Sequence, residues 1–167
     1  MTNWMHYWSD PTVRFHEHAV AAGDCGYSKL DHTASNMFGK LAGGFDVNDA
    51  KVQPGDVVYC LTSARGKVRL LGKLIVGRVV NQRAADGALK PLCVFPAKWH
   101  LLARAGTATS LRFDLALSIS DVKKIEFISN GNVVGPKFVD GFPDKQTFRS
   151  VRELTARSAS LFDASLK

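Results

Sequence analysis

Residues 54–80 read PGDVVYCLTSARGKVRLLGKLIVGRVV, and this stretch decides the fold. Pro54-Gly55 is a typical turn pair, and the β-branched and aromatic residues that follow it as far as Ala64 favour a strand. Arg65-Gly66 supplies a hairpin turn, and Val68–Val80 is then a long apolar run. The pattern predicts a β-hairpin whose second strand is unusually long.

Two glycines, Gly72 and Gly77, interrupt this long second strand. Glycine weakens a strand interior unless the chain must bend or bulge there. We therefore expect the strand to curl around a small barrel.

The residues after the hairpin predict further strands and turns. Ala85-Asp86-Gly87 is expected to end the long strand, and residues 88–104 to form short extended pieces and loop. Ser110–Ile119 alternates apolar and polar side chains, which is typical of a half-buried strand. Asp121–Ser129 predicts a helical turn passing into a strand, and Asn130-Gly131 predicts a reverse turn.

The N-terminal third contains two candidate helices. Asp10-Pro11 is typical of a helix start, although the alternation across residues 13–19 also fits a strand. His32–Leu41 predicts a short helix that Gly43-Gly44 would stop.

The C-terminal stretch predicts a helical segment from about residue 144. Asp144 is expected to cap a first part, Lys145–Leu154, and Thr155 to cap a second. The fold class that follows is α+β: one domain over residues 1–167, with a small curved antiparallel barrel of five or six strands flanked by short helices.

Length and composition place the chain among ordinary globular domains. With 167 residues and 46% hydrophobic side chains, it is large enough to build one core without disulfides or metals. The N-terminus does not resemble a secretory signal, and no apolar run reaches membrane-spanning length, so we expect a cytoplasmic protein without membrane contact. The three cysteines are widely spaced and predict free thiols in a reducing compartment: Cys25, Cys60 and Cys93.

The positive charge is concentrated in one segment. Between Val57 and Phe113 the chain has ten basic residues and one acidic residue, a net charge of +9, whereas the whole chain carries +7. Such a block is the electrostatic footprint of a polyanion-binding surface, because neutralised phosphates release counterions. A solvated face that keeps the protein soluble is the alternative reading.

Sequence motifs for catalysis are weak. His16-Glu17-His18 lacks the spacing of zinc hydrolases and has no third ligand near it in sequence. Cys25 with His32 lacks an orienting third group, and the glycine-rich stretches lack the phosphate-binding signature of nucleotide-binding loops. The sequence therefore predicts no catalytic residue, no metal site and no cofactor.

Aromatic residues accompany the basic segment. Trp4, Tyr7 and Trp8 lie together near the N-terminus, Tyr59 lies in the first hairpin strand, and Trp99 lies within the basic segment. Nucleic-acid-binding proteins combine ring side chains that stack on bases with cations that hold the backbone. Burial of the tryptophans in a small core is the structural alternative.

Four segments together resemble the PUA-like superfamily, and within it the EVE and YTH-like branch. Pro54–Tyr59 and Leu71–Val80 are similar to its central strands, Asn3–Trp8 to its aromatic opening strand, and His32–Phe38 to the segment with Ser and Asn that precedes the central strands. The resemblance covers roughly residues 3–128. It implies a curved β-barrel that binds DNA or RNA and takes a flipped, modified base into an aromatic pocket.

The resemblance also implies roles for individual residues. Trp8 and Trp99 would stack on the base, while Ser35 and Asn36 would bond to its edge, unless these two cap the predicted short helix instead. Basic side chains of the hairpin would hold phosphates. The nucleic-acid-binding residues expected from the sequence are Trp8, His32, Ser35, Asn36, Tyr59, Arg65, Lys67, Arg69 and Trp99.

The sequence thus favours a non-catalytic module that binds nucleic acid and accommodates one flipped base. DNA and RNA are both compatible with this pattern, as is a separate nuclease chain acting with the module. Two alternatives stay open: a metal-dependent nuclease that uses His16, Glu17 or His18, and a protein-binding adaptor whose basic face meets an acidic partner.

Overall fold

The predicted hairpin of residues 54–80 forms the middle of the sheet in the structure, a computed structural model that describes residues 1–36, 52–64, 66–92 and 94–167. In chain order, the strands are β1 (Asn3–Tyr7), β2 (His32–Ser35), β3 (Val57–Ala64), β4 (Lys67–Val80), β5 (Trp99–Ala103), β6 (Phe127–Ser129), β7 (Asn132–Val134), β8 (Phe138–Val139), β9 (Phe142–Pro143) and β10 (Arg152–Leu154). The helices are α1 (Asp10–Ala21), α2 (Gln82–Ala88), α3 (Ile119–Val122) and α4 (Ala156–Ser165).

Eight of the described strands form one sheet in the order β2-β5-β4-β3-β1-β10-β6-β7, and β8 pairs with β9 separately. β1 and β3 are parallel, whereas the other pairs are antiparallel. The α+β class is confirmed. The expected five or six strands is too few, because strands of two or three residues are too short to show an alternating pattern.

Strand β4 is irregular at both of its glycines, as the sequence predicts. It pairs with β3 in its first half and with β5 from Val76 onward, and the register shifts beside Gly72 and again across Gly77. A Cβ at Gly72 would lie 2.7 Å from Thr109 Oγ1, and a Cβ at Gly77 would lie 2.9 Å from the Arg104 backbone. Both close approaches therefore require glycine.

Apolar side chains build one core on each face of the sheet, because alternate residues of β1, β3 and β4 point to opposite sides. One core contains Met5, Phe127 and Phe162, with α4 packed against the sheet. The other contains Trp4 and Trp8. Complete burial of a side chain such as Phe162 contributes about 1.5–3 kcal/mol to folding, which holds the C-terminal helix in place.

Helix α1 resolves the ambiguity between helix and strand near the N-terminus. Ser9 occupies the extended N-cap position, and Pro11 lies in the first turn, where its missing N–H has no cost. At the other end of the chain, Thr155 caps α4 through its hydroxyl, which accepts from Ser158 N, as predicted.

The predicted strand at Ser110–Ile119 is wrong, although its alternating burial is right as far as Leu117; Ile119 is exposed. The segment follows β4 through spaced backbone bonds, such as Leu70 N to Leu115 O and Leu117 N to Val68 O, and makes isolated bridges instead of a continuous ladder. Alternation reports which side chains face the core, whereas a strand also needs consecutive backbone pairing.

Three other segments differ from the prediction. His32–Ser35 is strand β2, not the start of a helix; the remainder of that predicted helix, with Gly43-Gly44, lies outside the described residues. The stretch after Asp144 forms a single 3₁₀ turn and then strand β10, not a helix to Leu154. Residues 85–87 belong to helix α2, which begins after Asn81 accepts a bond from Ala84 N.

The described cysteines Cys25 and Cys60 are free thiols, as predicted; Cys93 lies outside the described residues. Burial raises the pKa of the Cys60 thiol to about 12, so this thiol is unreactive at neutral pH. None of the helices in the described ranges has the length and apolar character that a bilayer crossing requires.

Candidate functional site

A cavity of about 210 Å³ lies where the end of β1, strand β2 and the first turns of α1 meet. Its walls combine aromatic rings, imidazoles and hydroxyls. The lining residues are His6, Tyr7, Trp8, Ser9, Thr12, His16, His32, Thr33, Ala34 and Phe95.

Thr33 joins the two strands at the base of this cavity. Its Oγ1 accepts a bond from Trp8 Nε1 at 2.9 Å and lies 2.8 Å from His6 Nδ1. An indole nitrogen only donates, so the hydroxyl oxygen accepts that bond, and the direction of the bond between this hydroxyl and His6 Nδ1 is set by the tautomer of the imidazole. β1 and β2 are not neighbours in the sheet, and these side-chain bonds connect them.

His16 brings α1 to the aromatic wall. Its Nδ1 donates to the Thr12 carbonyl oxygen at 2.9 Å, and its ring centroid lies 4.5 Å from Trp8 and 6.2 Å from Phe95. Burial lowers the pKa of His16, so the ring is neutral at pH 7. A neutral imidazole that donates through Nδ1 offers Nε2 as a hydrogen-bond acceptor.

The other imidazoles of the cavity are also held in fixed orientations. Burial lowers the pKa of His6 to about 3. His32 Nδ1 lies 2.7 Å from Asp31 Oδ1, which fixes that ring at the cavity edge. Within the described ranges, no three His, Cys, Asp or Glu side chains are grouped so that they could hold a metal ion.

Because burial lowers the pKa values of His6 and His16, we expect the protein to lose stability in acid. An unfolded chain binds protons at these side chains below about pH 6.5, whereas folded His6 binds one only near pH 3. The contribution of neutral His6 to the free energy of unfolding is therefore complete above about pH 6.5, and it is lost progressively as the pH falls towards 3. We expect the urea midpoint to drop between pH 7 and pH 5, and to drop less in His6→Gln. An equal drop in both proteins would contradict this assignment.

A basic groove, defined by Arg14, Lys67, Arg69 and Thr62, lies on the other side of α1. Its volume is about 410 Å³, and none of its three cations forms an ion pair with another described residue. The Thr62 hydroxyl is buried without a hydrogen-bond partner among the described residues, and the side chain is 2% exposed. This hydroxyl therefore lacks the partner that buried polar groups nearly always have. Asp10 and Glu17 of α1 also line the groove, so its net charge is modest.

The structure separates the residues predicted from the sequence into four groups. Trp8 and His32 line the cavity, and Trp8 is only 4% exposed because it also packs in the core beside Trp4, which is the structural alternative considered for these tryptophans. Lys67 and Arg69 line the basic groove instead, and Arg65 lies outside the described residues.

The third group lies at the end of the β2–β5 pair. Ser35 is opposite Trp99 in the register, and Asn36 Oδ1 accepts from Lys98 N at 2.7 Å. They adjoin the cavity through Ala34 and are not among its lining residues.

Tyr59 is the fourth group. It lies in the core and does not line the cavity. Its ring is buried against Phe162, and its hydroxyl donates to Asp163 Oδ1 at 2.9 Å. Lys73 Nζ bonds the same oxygen at 2.6 Å, and burial raises the pKa of Tyr59. Tyr59 therefore anchors α4 to the sheet.

Sequence reasoning missed several cavity residues. His6 follows Trp4 by two residues and precedes Trp8 by two, so the period of a strand places all three on one face. His16 lies four residues after Thr12, a spacing that puts both on one side of α1. Phe95 and Thr33 carry no comparable signal, since their place in the cavity depends on how loop and strand pack. Comparison with protein-family models, curated proteins and solved structures finds no match to this chain.

Proposed function

We propose that this chain is a PUA-like, EVE and YTH-like module that binds DNA or RNA without catalysing a reaction. One flipped base, including a modified one, occupies the aromatic cavity, and the basic groove holds backbone phosphates. The cavity itself is the observation that carries the proposal.

The size and lining of the cavity suit a single flat ring. An apolar cavity of about 150 Å³ takes up benzene, so about 210 Å³ accommodates a somewhat larger ring system. Phe95, which is 37% exposed, supplies an accessible flat face, and Trp8, which is only 4% exposed, lines the cavity. His16 Nε2 and the hydroxyls of Ser9 and Thr12 supply polar contacts for a base edge. The Ser9 and Thr12 hydroxyls lie 3.0 Å apart, close enough to contact one ligand atom together.

The contacts at Thr33 support the barrel implied by the resemblance. β1 and β2 lie at separate positions in the sheet order, yet His6 of β1 and Trp8, directly after β1, bond to Thr33 of β2. The bends at Gly72 and Gly77 carry β4 from one partner strand to the other. On this account, strands β1 to β5 curl into a barrel that side chains close, and the base enters at that closure.

The energetics favour extrusion of a base that is unpaired or weakly paired. Flipping costs a few kcal/mol, and stacking on aromatic side chains returns about 1–3 kcal/mol per base. The basic groove adds phosphate contacts about one helix diameter away, roughly 10 Å, across α1. The groove alone would bind any sequence, whereas the cavity distinguishes bases.

The direct test is a binding screen with labelled oligonucleotides that differ in one base or one modification. The proposal predicts that at least one base at one position strengthens binding over the matched oligonucleotide. Equal binding of every oligonucleotide would contradict it. Cleavage that a chelator abolishes would identify a nuclease, and no retention on nucleic acid would favour a protein-binding adaptor.

We expect the substitution Arg69→Ala to weaken binding to all oligonucleotides alike. Loss of one phosphate contact should reduce the slope of log affinity against log salt by about one unit. Lys124→Ala is the matched control, because Lys124 pairs with Asp121 on α3 and does not line the groove. A salt slope unchanged in Arg69→Ala, or lowered equally in both variants, would exclude the groove as the phosphate site.

A further inference from the structure

A second cavity, of about 280 Å³, lies beside strand β10. It belongs to the face of the sheet opposite the aromatic cavity. Arg152 is opposite Met5 in the β1–β10 register, so the two side chains lie on the same face of the sheet. Met5 packs in the core that contains Phe127, whereas Trp4 and Trp8 pack in the core on the other face. Ligand uptake here would therefore be separate from base binding.

The guanidinium of Arg152 is the unusual group in this cavity. Its Cζ lies 5.2 Å from the centre of the Phe127 ring, and its Nε is buried without a hydrogen-bond partner among the described residues. No described carboxylate lies within ion-pair distance of it. Buried N–H groups are nearly always bonded, whereas this half-buried guanidinium has one buried N–H without a partner and no described anion beside it. Arg152 thus has the contacts of a group that lacks its anion.

The other charged residues that line the cavity do not neutralise Arg152. The side chain of Lys137 forms no ion pair within the described ranges, and its backbone N donates to Thr147 Oγ1 at 3.1 Å. Asp144 is the one carboxylate in the lining, and its Oδ1 already accepts from Gln146 N at 2.9 Å. The charged lining residues therefore leave a net charge of +1.

We propose that this cavity binds a phosphate group, with the planar fork of Arg152 contacting two of its oxygens and Lys137 supplying a second charge. A guanidinium matches such an oxyanion because it presents parallel N–H donors. The phosphate comes either from free inorganic phosphate or from the end of a nucleic-acid strand. The site does not depend on the proposed base cavity.

The test uses the full chain titrated with inorganic phosphate at constant ionic strength, followed by calorimetry. We expect saturable binding that Arg152→Lys weakens about tenfold or more, since an ammonium cannot form the two-point contact. Lys137→Gln, at an exposed position, should weaken binding less. Arg149→Lys is the control: Arg149 is exposed and does not line the cavity, so its affinity should match the unmodified protein.

Each outcome decides the proposal. Absence of saturable binding, or equal affinity in Arg152→Lys and Arg149→Lys, would overturn it. If Arg152→Lys does not fold, Lys137→Gln decides: unchanged affinity in that variant overturns the site. A parallel titration compares 5′-phosphorylated and 5′-hydroxyl oligonucleotides. A gain from the 5′-phosphate that Arg152→Lys removes identifies a strand end as the source, whereas phosphate binding without that gain identifies the free ion.

Discussion

Replacing Phe95 with alanine is expected to weaken binding of the preferred base about 5- to 150-fold, with a smaller effect on folding. Phe95 is 37% exposed in the free protein and forms one wall of the cavity, so a base can cover its accessible surface. Its ring centroid lies 5.2 Å from Phe15 and 6.2 Å from His16, and these contacts account for the smaller cost to folding. Loss of one stacking face removes about 1–3 kcal/mol of binding free energy. Affinity for oligonucleotides without the preferred base should stay near its original value.

Phe142→Ala is the matched control for this prediction. Phe142 is also an exposed phenylalanine, with 60% of its surface accessible, and it lies outside the aromatic cavity. Fluorescence anisotropy gives the affinities, and thermal unfolding shows that both variants fold. Equal losses in the two variants, or a loss in Phe95→Ala that is the same for every oligonucleotide, would contradict base stacking at this wall.

Replacing Asp56 with asparagine is expected to lower the free energy of unfolding by about 2–4 kcal/mol, because buried charge-assisted hydrogen bonds are costly to break. The buried carboxylate accepts three N–H bonds: from Thr2 N at 2.7 Å, from Trp4 Nε1 at 2.9 Å and from Gln53 N at 3.0 Å. An amide would place its own N–H groups against these donors. Since proteins are stable by only about 5–15 kcal/mol, this loss is a large share.

The measurement is the urea midpoint, with Asp114→Asn as the control. Asp114 is an exposed carboxylate beside Arg112, and its replacement should leave the midpoint unchanged. Asp56 holds β1 against the turn before β3, and β1 with the residue after it places His6 and Trp8 in the cavity wall, so folded Asp56→Asn should also bind the base less tightly. A midpoint as high as that of Asp114→Asn would show that the carboxylate does not anchor β1.

The hairpin of β3 and β4 could be predicted from the sequence because each of its sequence signals has one strong physical cause. Pro54-Gly55 forms the turn, β-branched and aromatic residues favour β3, and the glycines of β4 occupy positions where a Cβ would lie too close to other atoms. Asn130-Gly131 likewise forms the β6–β7 turn, with both residues at positive φ. At these points, short-range sterics determine the structure without help from distant residues.

The elements that the sequence did not predict depend on contacts between segments that are distant in the chain. The sequence of β10 resembles a helix, yet Arg152–Leu154 completes the sheet between β1 and β6. β2 likewise pairs with β5, a distant segment that local propensity does not reveal. The predicted site was therefore divided: Trp8 and His32 reached the cavity, whereas Tyr59 entered the core.

The most direct test of base uptake is a scan with the best-binding oligonucleotide of the screen, in which each nucleotide in turn is replaced by an abasic site. The backbone charge stays constant, so phosphate contacts in the basic groove are preserved and only one ring is removed. We expect the abasic substitution at one position alone to lower affinity about tenfold or more, because it removes the stacked base. Affinity that is the same at every abasic position would contradict a base-binding cavity.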